Sequence, residues 1–202
     1  MVNKMTEELL IPTEEYLKSG IHIGTKFRSK YMSNFIYKTR SDGLSVLNLQ
    51  KIDERLGLAA SLLSNYEPDE IVIVCRRESG WKPARMFSKL TGSKVFAGRY
   101  PPGVLTNPQL KNFIEAKIML LVDATPDRNA LNDALVSGMP TIALCDTNNT
   151  ANDLDLIIPC NNKGKKSLGL IFWLLAKTYM EKRNMVNKGQ AFPYSVDDFT
   201  EE

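Results

Sequence analysis

The stretch Asn161-Asn162-Lys163-Gly164-Lys165-Lys166-Ser167 is where this chain comes nearest to familiar phosphate chemistry. A Gly-Lys pair opening a helix is how a P-loop ends, with backbone N–H groups cradling phosphates and the lysine reaching the outer oxygens. That motif also requires a glycine five positions before Gly164, where this chain has Pro159, and a Ser or Thr directly after the lysine, where Lys166 stands. The P-loop fails twice. What survives is a helix N-terminus beside Lys163, Lys165 and Lys166, a surface that suits phosphate oxygens in general.

The other reactive side chains are sparse. Asp123 and Asp146 end two apolar runs; aspartates there bond the backbone N–H groups of the next turn more readily than they form a catalytic pair. Cys145 lies inside an apolar run and reads as an inert core thiol. His22 is the single histidine. After Cys75 the chain continues Arg76-Arg77-Glu78-Ser79-Gly80-Trp81, with no G-x-G-x-x-G to admit a pyrophosphate, and neither G-x-S-x-G nor a metal-ligand spacing occurs. The residues lead to no cofactor, no metal and no small-molecule substrate. Three cysteines (Cys75, Cys145, Cys160) without CxxC spacing suit a reducing compartment.

The elements that would position these groups follow from hydrophobic spacing. Pro12–Leu17 reads as a helix opening capped by Thr13 and stopped by Gly20. Leu44–Leu49 suits a strand, and Lys51–Tyr66 places Ile52, Leu56, Ala59, Ala60 and Leu63 on one helix face. Continuous apolar runs at Ile71–Cys75, Lys117–Asp123, Pro140–Asp146 and Leu154–Ile158 read as strands buried on both faces, with a shorter strand at Lys94–Ala97. Helices are expected at Trp81–Thr91, Asp127–Ser137 and Lys165 to about Arg183, and Asn107-Pro108 offers a further helix start. Alternating strands and helices make βαβ units, hence an α/β, doubly wound, flavodoxin-like or Rossmann-like fold with a mainly parallel sheet and helices on both faces. The expected division is an N-terminal extension over residues 1–42, an α/β domain over 43–183 and a polar acidic tail over 184–202.

The 202 residues carry 26 Lys+Arg against 23 Asp+Glu, with 43% hydrophobic and 24% charged residues. That is ordinary globular composition, which excludes a disordered, collagen-like or disulfide-scaffold chain. The longest mostly apolar stretch, Leu168–Ala176, is far below the roughly 20 residues that cross a bilayer, and Glu7 and Glu8 precede Leu9-Leu10-Ile11 where a leader would be cationic. A soluble, cytoplasmic protein without membrane contact is expected.

The near-neutral balance conceals segregation. Residues 21–40 hold Lys26, Arg28, Lys30, Lys38 and Arg40 and no acid. Residues 76–99 hold Arg76, Arg77, Lys82, Arg85, Lys89, Lys94 and Arg99 against Glu78 alone, whereas residues 115–160 hold seven acids against Lys117 and Arg128. Segregated cations build a field that attracts polyanions. Phe27, Tyr31, Phe35 and Tyr37 are interleaved with the first group, and rings beside cations stack unpaired bases while the cations hold phosphates. Core positions for those rings are the alternative.

Several blocks then resemble one family in order. Leu17-Lys18-Ser19-Gly20-Ile21-His22-Ile23-Gly24-Thr25 followed by Met32-Ser33-Asn34-Phe35-Ile36-Tyr37 is similar to the opening of the universal small-subunit ribosomal protein family numbered two. Val46-Leu47-Asn48-Leu49-Gln50-Lys51 matches its next block. Gly98–Pro108, Pro140–Asn148 and Ile158–Gly164 resemble the archaeal and eukaryotic branch, which includes the laminin-receptor precursor ribosomal proteins. The likeness spans about residues 13–183. Ser19, Val104 and the Asp123–Asp127 turn depart from the family pattern, and the short Lys51–Tyr66 helix stands where the bacterial branch inserts a coiled coil.

The resemblance implies a structural, non-enzymatic constituent of the small ribosomal subunit in the cytoplasm, bound to 16S-type ribosomal RNA and neighbouring ribosomal proteins where head meets body. The RNA-contacting residues expected are His22, Lys26, Arg28, Lys30, Lys38, Arg40, Arg76, Arg77, Lys82, Arg85, Arg99, Lys163, Lys165 and Lys166, with the acidic segment and tail facing solvent or basic proteins. His22 either reaches RNA or fixes its own turn between Gly20 and Gly24. A phosphate-binding enzyme gripping through Lys163 and Lys165, and a scaffold recruiting a basic partner through its acidic tail, are the competing readings.

Overall fold

The computed structural model describes residues 9–185 and 192–200. In chain order its elements are α1 (Thr13–Ser19), β1 (Ile36–Thr39), β2 (Ser45–Leu47), α2 (Leu49–Ser64), β3 (Ile71–Cys75), α3 (Trp81–Thr91), β4 (Lys94–Ala97), β5 (Ile118–Leu121), α4 (Arg128–Val136), β6 (Thr141–Cys145), β7 (Leu156–Pro159) and α5 (Lys165–Lys182). β3 to β7 form one parallel sheet in the order β4-β3-β5-β6-β7. This is the flavodoxin-like winding, with the strand order reversing between β3 and β5. The doubly wound α/β expectation is met.

Every residue of β3, β5 and β6 is buried, because both faces are covered. On one face α5 lies between α2 and α3. Phe87 of α3 packs edge-on against Phe172 of α5 at 6.0 Å and lies 6.2 Å from Tyr179. α2 starts at Leu49, earlier than its apolar spacing suggests, since the Asn48 side chain accepts the Gln50 amide at 3.0 Å and so caps the first turn.

Between β4 and β5 one expected element is absent. No helix follows Asn107-Pro108. The Asn107 side chain accepts the Gln109 amide at 3.0 Å, a local turn that competes with a helix cap. Residues 100–114 are instead irregular, with Tyr100, Val104 and Leu105 buried, and are anchored on α4 by Asp133, which accepts from Tyr100 Oη at 3.0 Å and from the Gly103 amide at 2.7 Å.

Two terminal expectations also change. Thr13 is the first helical residue, preceded by Pro12, and makes no side-chain cap; Gly20 does end α1, in the left-handed region at φ 69°. The sequence reads 184–202 as a tail, yet its described part, 192–200, folds back on α5. Phe199 is fully buried, Trp173 Nε1 donates to the Tyr194 carbonyl at 2.7 Å, and a Cβ on Gly169 would lie 2.5 Å from Thr200 Cγ2. Glycine inside a helix is costly; here it lets the returning chain approach α5. Residues 186–191 and 201–202 of the tail, like residues 1–8, lie outside the described part.

The boundary expected at residues 42/43 falls in the turn of an antiparallel hairpin, β1–β2. Ile21, Met32 and Phe35 from the N-terminal segment join the same hydrophobic core as the sheet.

Candidate nucleic-acid interface

Doubly wound sheets hold ligands in the crevice beyond the carboxyl ends of their strands, at the reversal of strand order. Here the chain's own side chains fill that place. Arg77, leaving β3, donates from Nε to Asp123 Oδ2 at 2.7 Å and closes the ion pair through Nη2. Asp123, after β5, also accepts the Thr125 amide at 3.0 Å and Asn149 Nδ2 at 2.9 Å. Asn149 Oδ1 accepts the Asp146 amide at 2.8 Å and Asn162 Nδ2 at 3.1 Å. Asp146 in turn accepts the Thr147 amide at 2.6 Å and pairs with Lys163 Nζ at 2.8 Å. Asp123 and Asp146 do cap their turns, as the sequence suggests.

Arg77 and Lys163, both expected on RNA, are therefore engaged internally. The reason is electrostatic: the Asp123 and Asp146 side chains are each 1% exposed, and a buried charge is costly unless it is paired. The same fact corrects the acidic segment. Asp123, Asp127 and Asp146 are buried, Asp133 holds residues 100–103, and Asp155 accepts the Thr141 amide at 2.8 Å. Three of its seven acids are thus buried and Asp133 is half-buried, while Glu115, Asp153 and Asp155 are exposed, so only part of the segment's charge faces outward.

Burial also sets the titration of this region. It pushes the Asp127 carboxyl up to about 6, with Asp123 adding repulsion against the hydrogen bond from the Arg76 amide. It pushes the Cys75 and Cys145 thiols up to about 12, so neither is a thiolate nucleophile at neutral pH. Among the described residues no three His, Cys, Asp or Glu side chains converge as metal ligands, and no helix is long and apolar enough to cross a membrane.

The basic arm is pinned onto the end of β6. The Thr25 amide donates to Thr147 Oγ1 at 2.9 Å and the Ser29 amide to the Thr147 carbonyl at 2.8 Å. Gly24 donates to the Ser45 carbonyl at 2.9 Å, tying the arm to β2. Contact there is so close that a Cβ on Gly24 would lie 2.5 Å from Thr147 Cγ2 and 3.0 Å from the Ser45 carbonyl. Thr147 was not among the expected site residues. Only its place in the Pro140–Asn148 block of the resemblance hints at a role.

Held this way, the arm exposes Lys26, Arg28 and Lys30. The interleaved rings divide: Phe35 is core, while Phe27, Tyr37 and Tyr31 are 80%, 70% and 47% exposed. Lys38 and Arg40 are exposed on the hairpin, Arg40 lying 3.5 Å from Asp42. Arg76 is exposed beside the crevice, its Nη1 donating to the Pro126 carbonyl at 3.1 Å, and Arg99 is exposed just beyond β4. Lys82 and Arg85 stand in the first turns of α3, which begins at this end of the sheet; Lys82 Nζ donates to the Thr200 carbonyl at 2.6 Å and Arg85 lies over the Trp81 ring at 5.9 Å. Lys165 and Lys166 are exposed in the first turn of α5.

His22 follows Ile21, whose carbonyl accepts the Asn161 amide at 2.9 Å just beyond β7. Its backbone carbonyl accepts the Leu47 amide at 2.8 Å, so the hairpin is joined through its backbone. Its Nδ1 is buried and has no hydrogen-bond partner among the described residues. Burial holds the imidazole below its ordinary pKa, an effect the Tyr16 backbone partly offsets.

The chain is similar to proteins of one kind along nearly its whole length. The ribosomal protein S2 family matches residues 110–182. The small ribosomal subunit protein uS2 of Nanoarchaeum equitans is 48% identical over 192 residues, covering 95% of this chain and 96% of that protein. That of Picrophilus torridus is 46% identical over 195 residues, covering 96% and 98%. That of Methanococcus maripaludis is 47% identical over 195 residues, covering 96% and 88%. An identity this high over whole chains, on a flavodoxin-like sheet whose ligand crevice is closed by an arginine–aspartate pair, places the chain in the family of the small ribosomal subunit protein uS2.

Proposed function

We propose that the protein is held on 16S-type ribosomal RNA by the arm of residues 26–31 and by the cations around the carboxyl ends of the sheet, Arg76, Lys82, Arg85, Arg99, Lys165 and Lys166, with Lys38 and Arg40 extending the surface. As a family member it is a structural constituent of the small ribosomal subunit in the cytoplasm and not an enzyme. The observation that carries the RNA contact is the arm itself. Three exposed cations and two exposed rings are fixed on the sheet by Thr147 instead of hanging free. A surface ordered in advance loses less entropy on binding.

Neighbouring ribosomal proteins at the head–body junction complete the proposed environment. The filled crevice argues against a nucleotide or phosphosugar enzyme, because Lys163, its phosphate grip, is turned onto Asp146 at 2.8 Å. The test is incorporation. A variant with Lys26, Arg28 and Lys30 changed to alanine is expressed in cells, and small subunits are separated on sucrose gradients. Strong depletion from the small-subunit peak is expected; incorporation at the unmodified level overturns the assignment of the arm.

A further inference from the structure

One cavity adjoins the arm on its N-terminal side. It opens between α1, the β1–β2 hairpin and the start of α2, with a volume of about 560 Å³, within the range of pockets that enclose small ligands. Leu17, Ile23 and Val46 give it apolar walls. At its rim stand the Tyr37 ring, 70% exposed, and the cations Lys38 and Arg40. His22 and Ser45 also line it, the latter 1% exposed.

We propose that this cavity accepts one unstacked RNA base, with its phosphate against Lys38 and Arg40, its face on Tyr37 and its edge toward His22 and Ser45. The inference rests on the RNA-bound reading above and names a second, distinct element of it. Each part of a nucleotide has a counterpart. The apolar walls and the ring suit a base face, and the two cations suit a phosphate. An aliphatic side chain from a neighbouring protein would fill the walls but bring no anion to Lys38 and Arg40. That mismatch favours the base.

The experiment uses the single histidine. The full chain, labelled with nitrogen-15 at His22, is titrated with a single-stranded RNA hexamer and, in parallel, with the same strand annealed into a duplex. The imidazole signals are expected to shift saturably with the single strand and not with the duplex. Tyr37→Ala is expected to weaken that binding about 10-fold, the loss of one base–ring stack, while Tyr37→Trp retains it. Tyr37 is exposed, so neither change threatens the fold. If the hexamer binds without moving the His22 signals, or equally well to Tyr37→Ala, the base pocket is overturned while the arm's RNA contact stands. If the hexamer does not bind, the pocket is also overturned; the arm's contact fails with it only if its own incorporation test fails. A photo-crosslinking residue at position 37 gives the assembled counterpart: attachment to RNA in small subunits supports the proposal, and attachment to a protein overturns it.

Discussion

The backbone carbonyl of Thr147 accepts the amide of Ser29 at 2.8 Å, so the basic arm is joined directly to the segment leaving β6. Thr147 is itself placed by Asp146, whose carboxylate accepts its amide and pairs with Lys163. The buried network of the crevice thus supports the arm from beneath. Polar groups that would position a substrate in an enzyme of this winding here position a surface.

Gly24→Ala tests that support. The new methyl would enter Thr147 Cγ2 at 2.5 Å and the Ser45 carbonyl at 3.0 Å, and a backbone carbonyl yields little. A loss of about 1–3 kcal/mol is expected from overpacking of this kind. It should appear as a lower urea midpoint together with faster amide exchange at Thr25 and Ser29. Adding Thr147→Ser, which removes the Cγ2 methyl and keeps the hydroxyl, should recover part of it.

Salt dependence separates the cations that face outward from the arginine that does not. Each cation on a phosphate contributes close to one unit of slope in the logarithm of affinity against the logarithm of salt concentration. Arg28→Ala with Lys30→Ala should lower the slope for ribosomal RNA by about 2 units without moving the thermal midpoint. Equal slopes for the variant and the parent would remove both residues from the contact.

Arg77→Met should behave in the opposite way. It strands the Asp123 carboxylate, whose side chain is 1% exposed, with only the Thr125 amide and Asn149 Nδ2 as donors. The expected loss is about 2–3 kcal/mol, below the full value for a broken buried pair because the Arg77 side chain is 34% exposed and partly screened. Chemical denaturation reads it directly, and a midpoint within error of the parent would show that solvent already carries the charge.

The contrast between Arg76 and Arg77 marks where the sequence stops being informative. Strands β3 and β4 and helix α3 lie at the residues that their apolar runs delimit, since a strand buried on both faces and a one-sided helix each leave a local signature. Which of two adjacent arginines turns inward has no local signature. It depends on Asp123, which a parallel neighbour strand brings to the same end of the sheet. The acidic segment misled for the same reason: a count of charges cannot distinguish a solvated carboxylate from one holding a loop, as Asp133 does. Asn107-Pro108 carries a true helix-start composition, yet Asn107 uses its side chain on the Gln109 amide and the chain turns away. The arm's cations and their exposed rings were legible; Thr147, which fixes them, was visible only as part of a longer likeness.

Asp127 gives a prediction with a defined pH window. Its folded pKa, about 6, lies above the ordinary value of about 3.9, so between these values the folded state holds a proton that the unfolded state has released. Stability from this group is therefore fully present below about pH 4 and is lost as pH rises through 6. Asp127→Asn removes the titration while keeping an acceptor for the Arg76 amide. The variant should gain on the parent by about 2 kcal/mol between pH 4 and pH 7, read from urea midpoints at both values. A constant difference would show that Asp127 is ionised in the fold throughout.

Phe199 decides whether the C-terminal return belongs to the fold. Its side chain is fully buried against α5, with Phe192 packing edge-on against Trp173 at 5.9 Å and Lys82 holding the Thr200 carbonyl at 2.6 Å. Truncating a buried phenylalanine in a core costs about 3–5 kcal/mol. A terminal segment can instead detach locally, so the cost is capped at the segment's own docking free energy. Phe199→Ala should accordingly shift the global midpoint only modestly but raise protease cleavage within residues 192–200 many-fold. Lys82, released from Thr200, then becomes a freer cation, so RNA affinity in the same variant should be kept or slightly increased. If cleavage in residues 192–200 does not change while the whole domain loses several kcal/mol, this segment is an integral part of the core and not a docked strap.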